Sequence, residues 1–218
     1  MYNKSDIELK VAEFLLQIKA IKLQPNNPFT WASGWKSPIY CDNRVTLSHP
    51  SVRTYIRQKL TQLIQEEFGS VDIIAGVATA GIPQGVLVAQ ELGLPFAYVR
   101  AKAKEHGTGS LIEGEIVEGQ RVVVVEDLIS TGKSSLQAVQ ALRDAGLSVA
   151  GLVSIFTYGF DVAEQNFKDA KCRYATLSDY DTLIDYASEH SFIAKNDIDL
   201  LKKWRLEPST WGKEAINN

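Results

Sequence analysis

The run VVVVEDLISTGKSS, residues 122–135, places more chemistry in one short segment than any other part of the chain. Val122 to Val125 read as a buried strand that leads into Glu126 and Asp127, then into a turn of small polar residues, then into a helix beginning near Lys133. Ligands of open α/β sheets bind at the carboxyl ends of strands, where this turn would lie. Ser130, Thr131, Gly132 and Ser134 are small enough for backbone N–H groups and hydroxyls to close around a phosphate, with the positive end of a helix dipole behind them. Alone, that is an anion cradle. Two carboxylates directly before it would repel a bare phosphate unless a polyhydroxyl group separates the charges, and a ribose carrying a 5-phosphate meets that need. In a generic strand–turn–helix the plainer reading would hold, with solvated acids ending the strand and a Ser/Thr/Gly turn capping the helix. A P-loop is excluded: Gly132-Lys133-Ser134 spells its last three letters, but Asp127 stands where the upstream glycine is required.

A second segment, Tyr98 to Gly107, sets Arg100, Lys102, Lys104 and His106 just after a strand pattern, with glycines at 107, 109 and 114. It reads as a mobile cationic loop. In isolation such a loop is a solvated connection. Beside a phosphosugar site its cations would stabilise the charge that develops on a departing anion.

These segments need elements to hold them. Ser5 and Glu8 stand at capping-box spacing before Ile7, Val11, Phe14, Leu15 and Ile18, which predicts an N-terminal amphipathic helix packed as a lid or flank. Residues 25–44 mix turn formers with aromatic and β-branched residues, as in a short hairpin or irregular strands outside the core. A long helix is expected from Pro50. Apolar runs at 71–77, 96–99, 122–125 and 149–156 read as strands buried on both faces, separated by helices at about 82–92 and 133–145 that stop at Gly93 and Gly146. Alternating strands and helices imply an α/β fold with a mostly parallel central sheet. Two further helical patterns occupy residues 178–218.

The 218 residues, 45% hydrophobic and 22% charged, suit one globular domain spanning 1–218. A net charge of −3 without a basic cluster argues against nucleic acid as a partner. Cys41 and Cys172 lie outside CxxC spacing, so neither a zinc site nor a disulfide framework is expected. The polar N-terminus and the lack of a long apolar run point to a cytoplasmic protein with no membrane partner.

The ordered run of apolar strand, Glu-Asp, Leu-Ile, Ser-Thr-Gly and Ser-Ser resembles the phosphoribosyl diphosphate (PRPP) signature of type I phosphoribosyltransferases. The Arg100–His106 loop, FTWASGWKSPIYCDNR from Phe29, DIIAGVATAGIP from Asp72 and LSDYDTLIDYA from Leu177 are similar to the orotate phosphoribosyltransferases. That resemblance implies the type I fold, with helices flanking the sheet and a small hood contributed mainly by about residues 1–45. It implies PRPP and orotate as substrates, magnesium bound mainly through PRPP, and a homodimer whose loop reaches over the partner's site.

Residue by residue, Glu126 and Asp127 would hold the ribose hydroxyls. The stretch Leu128, Ile129, Ser130, Thr131, Gly132, Lys133 and Ser134 would line the 5-phosphate. Arg100, Lys104 and His106 would be the catalytic, diphosphate-facing groups, while Ser130 and Tyr40, with Ser37 and Ile39 as further hood residues, would meet orotate. Well-known members carry lysine at Ala32, Tyr-Lys at Thr79-Ala80, lysine at Ala101 and an arginine near Tyr158, so this chain has fewer fixed cations, which Lys36, Lys102 and Lys133 would have to replace. A PRPP-sensing regulator would share the fold but needs a nucleic-acid surface. A purine phosphoribosyltransferase would share the PRPP turn but leaves the loop and the Phe29 block unexplained.

Overall fold

The computed structural model describes residues 5–31, 33–102 and 111–211. The chain opens with α1 (Asp6–Gln17), β1 (Ile21–Leu23), β2 (Phe29–Thr30), β3 (Lys36–Ser37) and β4 (Ile39–Cys41), followed by a 3₁₀ turn at Asn43–Ser48. It continues through α2 (Pro50–Phe68), β5 (Ile73–Val77), α3 (Gly81–Leu92), β6 (Phe96–Val99), β7 (Ile112–Glu113), β8 (Arg121–Ile129) and α4 (Lys133–Asp144). The last elements are β9 (Ser148–Thr157), α5 (Asp161–Asp169), β10 (Tyr174–Asp179), α6 (Tyr180–Glu189) and α7 (Ile198–Leu206).

The expected capping box starts α1: the Glu8 N–H donates to Ser5 Oγ at 3.2 Å and the Ser5 N–H to Glu8 Oε2 at 2.8 Å. Two orphan donors are satisfied, and the helix flanks α6 and β10.

The main sheet runs in the order β10-β9-β8-β5-β6-β7, parallel except for the β6–β7 pair. The valines of β8 show why this strand reads as a continuous apolar run. Val123 and Val125 face one core with α1, α2, α3 and α6, while Val122 and Val124 face a second core with α4 and α5. A strand covered on both faces has no polar side to alternate with.

The order reverses direction between β5 and β8: from β5 the chain moves outward to β6, and from β8 outward through β9 to β10. That switch point leaves a crevice at the carboxyl ends of β5 and β8. Its walls are close because Gly81, at the start of α3, has no side chain; a Cβ there would sit 2.4 Å from the Val125 carbonyl oxygen.

Three expectations change. Pairing to β9 carries β8 past the expected end at Val125 to Ile129, so Glu126 and Asp127 lie within the strand and the turn begins later. The 25–44 segment does pair as short strands, but its Ile39 is fully buried in the core with Ile21 of β1, because β1 and β4 form one antiparallel ladder. The elements α5 and β10 also go beyond the anticipated set. β10 is an edge strand, and its YATLSD sequence has no apolar run to announce it.

Candidate active site

The end of β8 presents Glu126 buried and Asp127 half-buried, and the turn to α4 follows immediately. Gly132 takes a left-handed backbone (φ +75°) at the N-cap of α4, and a Cβ there would lie 2.7 Å from the Phe167 ring. Glycine is therefore needed both for the turn's direction and for its seat on α5. Asn166 Nδ2 holds the turn from below by donating to the Thr131 carbonyl at 2.9 Å. Ser134 and Lys133 are exposed on the first turn of α4, and Ser130 and Thr131 are half-buried.

The carboxylates are held by short local bonds. Glu126 Oε1 accepts from the Asp127 N–H at 3.0 Å and Oε2 from Ser135 Oγ at 3.2 Å. Burial pushes the Glu126 carboxyl well above its usual range, and the adjacent Asp127 charge pushes the same way. Asp127 is also raised, chiefly by burial. Burial thus opposes ionisation of both carboxylates. Hydroxyl donors arriving at them would stabilise the charged forms.

A group whose folded pKa is raised stabilises the fold below its unfolded pKa and loses that contribution as pH rises through the folded value. Glu126→Gln should therefore melt higher than wild type at neutral pH, by about 2–4 °C for each kcal/mol of burial penalty and repulsion relieved, and gain nothing in acid. Differential scanning calorimetry at the two pH values checks this. A lower melting point at neutral pH would show that the ionised carboxylate supports the fold.

Across the crevice, the turn 78–80 leaves Thr79 exposed and Ala78 and Ala80 half-buried. A groove of about 320 Å³ extends from it between the end of β6 and α4, lined among others by Ala78, Arg100, Ala101, Ser134 and Gln137. Arg100 Nη1 pairs with Glu113 Oε1 at 3.3 Å. The short strands β2, β3 and β4 carry the other candidate residues. Tyr40 is 40% exposed and packs against Phe29, whereas Ser37 and Ile39 are buried, with Ser37 Oγ donating to the Ile39 carbonyl at 2.8 Å. Aromatic rings anchor the hood. Trp31 packs on Tyr158 and Trp204, and Trp204 Nε1 donates to the Lys36 carbonyl at 3.2 Å.

A phosphoribosyl transferase domain model matches residues 47–187. The orotate phosphoribosyltransferase of Bacteroides fragilis is 58% identical over 206 residues, spanning 94% of this chain and 97% of that protein. The chain belongs to the orotate phosphoribosyltransferases. The Listeria innocua member of that family is 54% identical over 207 residues, covering 95% of this chain and 99% of its own. The crystal structure of the Aeropyrum pernix orotate phosphoribosyltransferase aligns with a TM-score of 0.74 at 27% identity, covering 84% of this chain and 99% of that one.

Within an orotate phosphoribosyltransferase site, the structure gathers the residues from Glu126 to Ser134 at one strand end and sets Arg100 on the far wall of the crevice. Lys104 and His106 lie outside the described residues, as does Ala32. Of the cations weighed as replacements, Lys36 is engaged with Thr30 Oγ1 at 2.8 Å, and Lys102 and Lys133 are exposed. Tyr158 is buried in the aromatic anchor, and burial raises its phenol well above the ordinary value. Asn43 is the site neighbour that motif reading passes over. Its amide reaches the Asp127 carbonyl from 84 residues away, a pairing with no signature in sequence. Among the described residues no helix is long and apolar enough to cross a membrane.

Proposed function

We propose that the chain transfers the 5-phosphoribosyl group of PRPP to orotate in the crevice between β5 and β8, giving orotidine 5′-phosphate and diphosphate in pyrimidine biosynthesis. The observation that carries this reading is the pair Glu126–Asp127 at the end of β8, directly before the Ser130–Ser134 cradle at the switch point of the sheet. Glu126 and Asp127 accept hydrogen bonds from the ribose hydroxyls. The backbone and hydroxyls from Leu128 through Lys133 to Ser134 receive the 5-phosphate, helped by the α4 dipole. Tyr40 and Ser130 meet the base.

The reaction is a displacement at the anomeric carbon. A ring nitrogen of orotate forms the new C–N bond while the C–O bond to diphosphate breaks, and its electron pair leaves with the diphosphate. No covalent enzyme intermediate is required, and little proton transfer, because orotate enters as an anion and diphosphate leaves as one. Arg100, Lys104 and His106 neutralise the departing charge. Arg100 must leave Glu113 to do so. Magnesium, when bound, neutralises diphosphate charge. It would keep much of its water and prefers hard oxygens, so it would be carried mainly by PRPP oxygens and waters.

The whole of 1–218 serves as one phosphoribosyltransferase domain, with the hood drawn mainly from about residues 1–45. It works as a cytoplasmic homodimer in which each loop completes the partner's site. Purified chain with PRPP and orotate should release diphosphate, and chelation of magnesium should stop the release. Turnover that persists unchanged after chelation would contradict the metal's part, and absence of turnover with all components would contradict the reading itself.

A further inference from the structure

A buried chain of hydrogen bonds beneath the crevice joins three parts of the site that lie far apart in sequence. Gln84, on the first turn of α3, donates through Nε2 to Thr46 Oγ1 at 3.1 Å. Thr46 Oγ1 donates to the Asn43 carbonyl at 2.6 Å, and Asn43 Nδ2 donates to the Asp127 carbonyl at 2.7 Å. Asn43, Thr46 and Gln84 are each at most 1% exposed. The chain of bonds therefore runs through three buried side chains from the helix that follows the 78–80 turn, through the segment that follows hood strand β4, to the half-buried Asp127 on β8.

The Asp127 carbonyl needs this partner. β5 pairs with β8 only as far as Val125, whereas β9 follows β8 to Ile129. Beyond Val125 the strand projects past its neighbour, and the Asn43 amide takes the place of a ladder donor. A half-buried carbonyl that loses its donor gives up a hydrogen bond worth about 1 kcal/mol or more, on the order of tenfold in an equilibrium constant.

The orientation of the amide is also determined. Cys41 Sγ, on hood strand β4, lies 3.3 Å from Asn43 Oδ1. Burial, then the charges of Asp127 and Asp42, hold the Cys41 thiol well above its ordinary pKa, so it remains an S–H donor. A donor at Oδ1 leaves Nδ2 to face the carbonyl.

We infer that Asn43 is a positioning residue for the phosphoribosyl group: it sets the backbone of Asp127, and with it the direction in which that carboxylate meets the ribose hydroxyls, and it ties this setting to the hood. The inference rests on the ribose role given to Asp127 above. An ordinary structural hydrogen bond would alter stability alone. This one should alter affinity for ligands that carry ribose and leave the diphosphate subsite unchanged.

The test is titration calorimetry on the full chain with two probes, ribose 5-phosphate and inorganic diphosphate. Asn43→Asp keeps the shape but turns an oxygen toward the carbonyl. It should weaken ribose 5-phosphate binding by about tenfold, the effect of losing one such hydrogen bond, and leave diphosphate binding within about twofold. Asn43→Ala should show the same selective loss and serves if the aspartate variant does not fold. Ser178→Ala removes a buried side-chain bond to the Glu8 carbonyl at 3.0 Å, on the α1 flank. It should lower the melting point and leave both affinities unchanged. Equal loss of both ligands in the Asn43 variants, or no loss of ribose 5-phosphate while Asp127→Asn does lose it, would overturn the inference alone. Full ribose 5-phosphate affinity in Asp127→Asn would overturn the ribose reading as well.

Discussion

An equimolar mixture of Lys104→Ala/His106→Ala chains with Asp127→Asn chains should recover about a quarter of wild-type turnover, although each variant alone is nearly inactive. The first variant keeps its pocket and lacks the loop's charge, and loss of such general acid or charge stabilisation typically lowers rate on the order of a hundredfold or more. The second keeps its loop and puts a neutral carboxamide, with one acceptor oxygen in place of two, where the proposed reading has the Asp127 carboxylate meet the ribose hydroxyls. If each loop serves the partner's pocket, a mixed dimer has one pocket facing a working loop and one damaged pocket facing a dead one. Random exchange makes about half the dimers mixed, each with one good site of two, which yields about a quarter of the activity. Exchange is verified by native mass spectrometry and turnover by diphosphate release. A verified mixture that shows only the sum of its parts would place the loop over its own subunit's site.

Much of the fold can be read from residue order because its signals are local. The Ser5/Glu8 box, the glycines after α3 and α4, and the two-faced valines of β8 each identify an element without help from distant sequence. The strand–turn–helix of the candidate PRPP turn is legible for the same reason, since strand, acids, small polar residues and helix follow one another within residues 122–135. What escapes is what long-range pairing decides. β8 runs on to Ile129 because β9 is there to pair with it, so the acids sit on a strand, on opposite faces of a fixed ladder, with Glu126 buried and Asp127 half-buried. β10 pairs on one side only, and its polar composition suits an edge as well as a loop. The hood looks peripheral as sequence, yet Trp204 of α7 bonds to the Lys36 carbonyl 168 residues earlier and brings it onto the core. Asn43 is hidden twice, inside a turn-like CDNR run and opposite a carbonyl that only the sheet leaves unpaired.

Choice of base separates the proposed activity from its relatives, and the expected discrimination is close to all-or-none. The PRPP turn would serve any phosphoribosyltransferase, whereas on the proposed reading the Phe29–Arg44 part of the hood and the cationic loop would set orotate apart from a purine. Orotate brings its own negative charge and a ring nitrogen ready to attack; uracil lacks the carboxylate, and adenine and hypoxanthine are larger bicyclic rings without one. A site that recognises its substrate through polar groups rejects an analogue lacking them by on the order of 10⁴-fold, because those groups are left unpaired. The decisive measurement is diphosphate release by the purified chain with PRPP, magnesium and, in separate reactions, orotate, uracil, hypoxanthine or adenine. Release with orotate and none above background with the other three is the predicted result, and equal or faster release with a purine base would contradict the assignment.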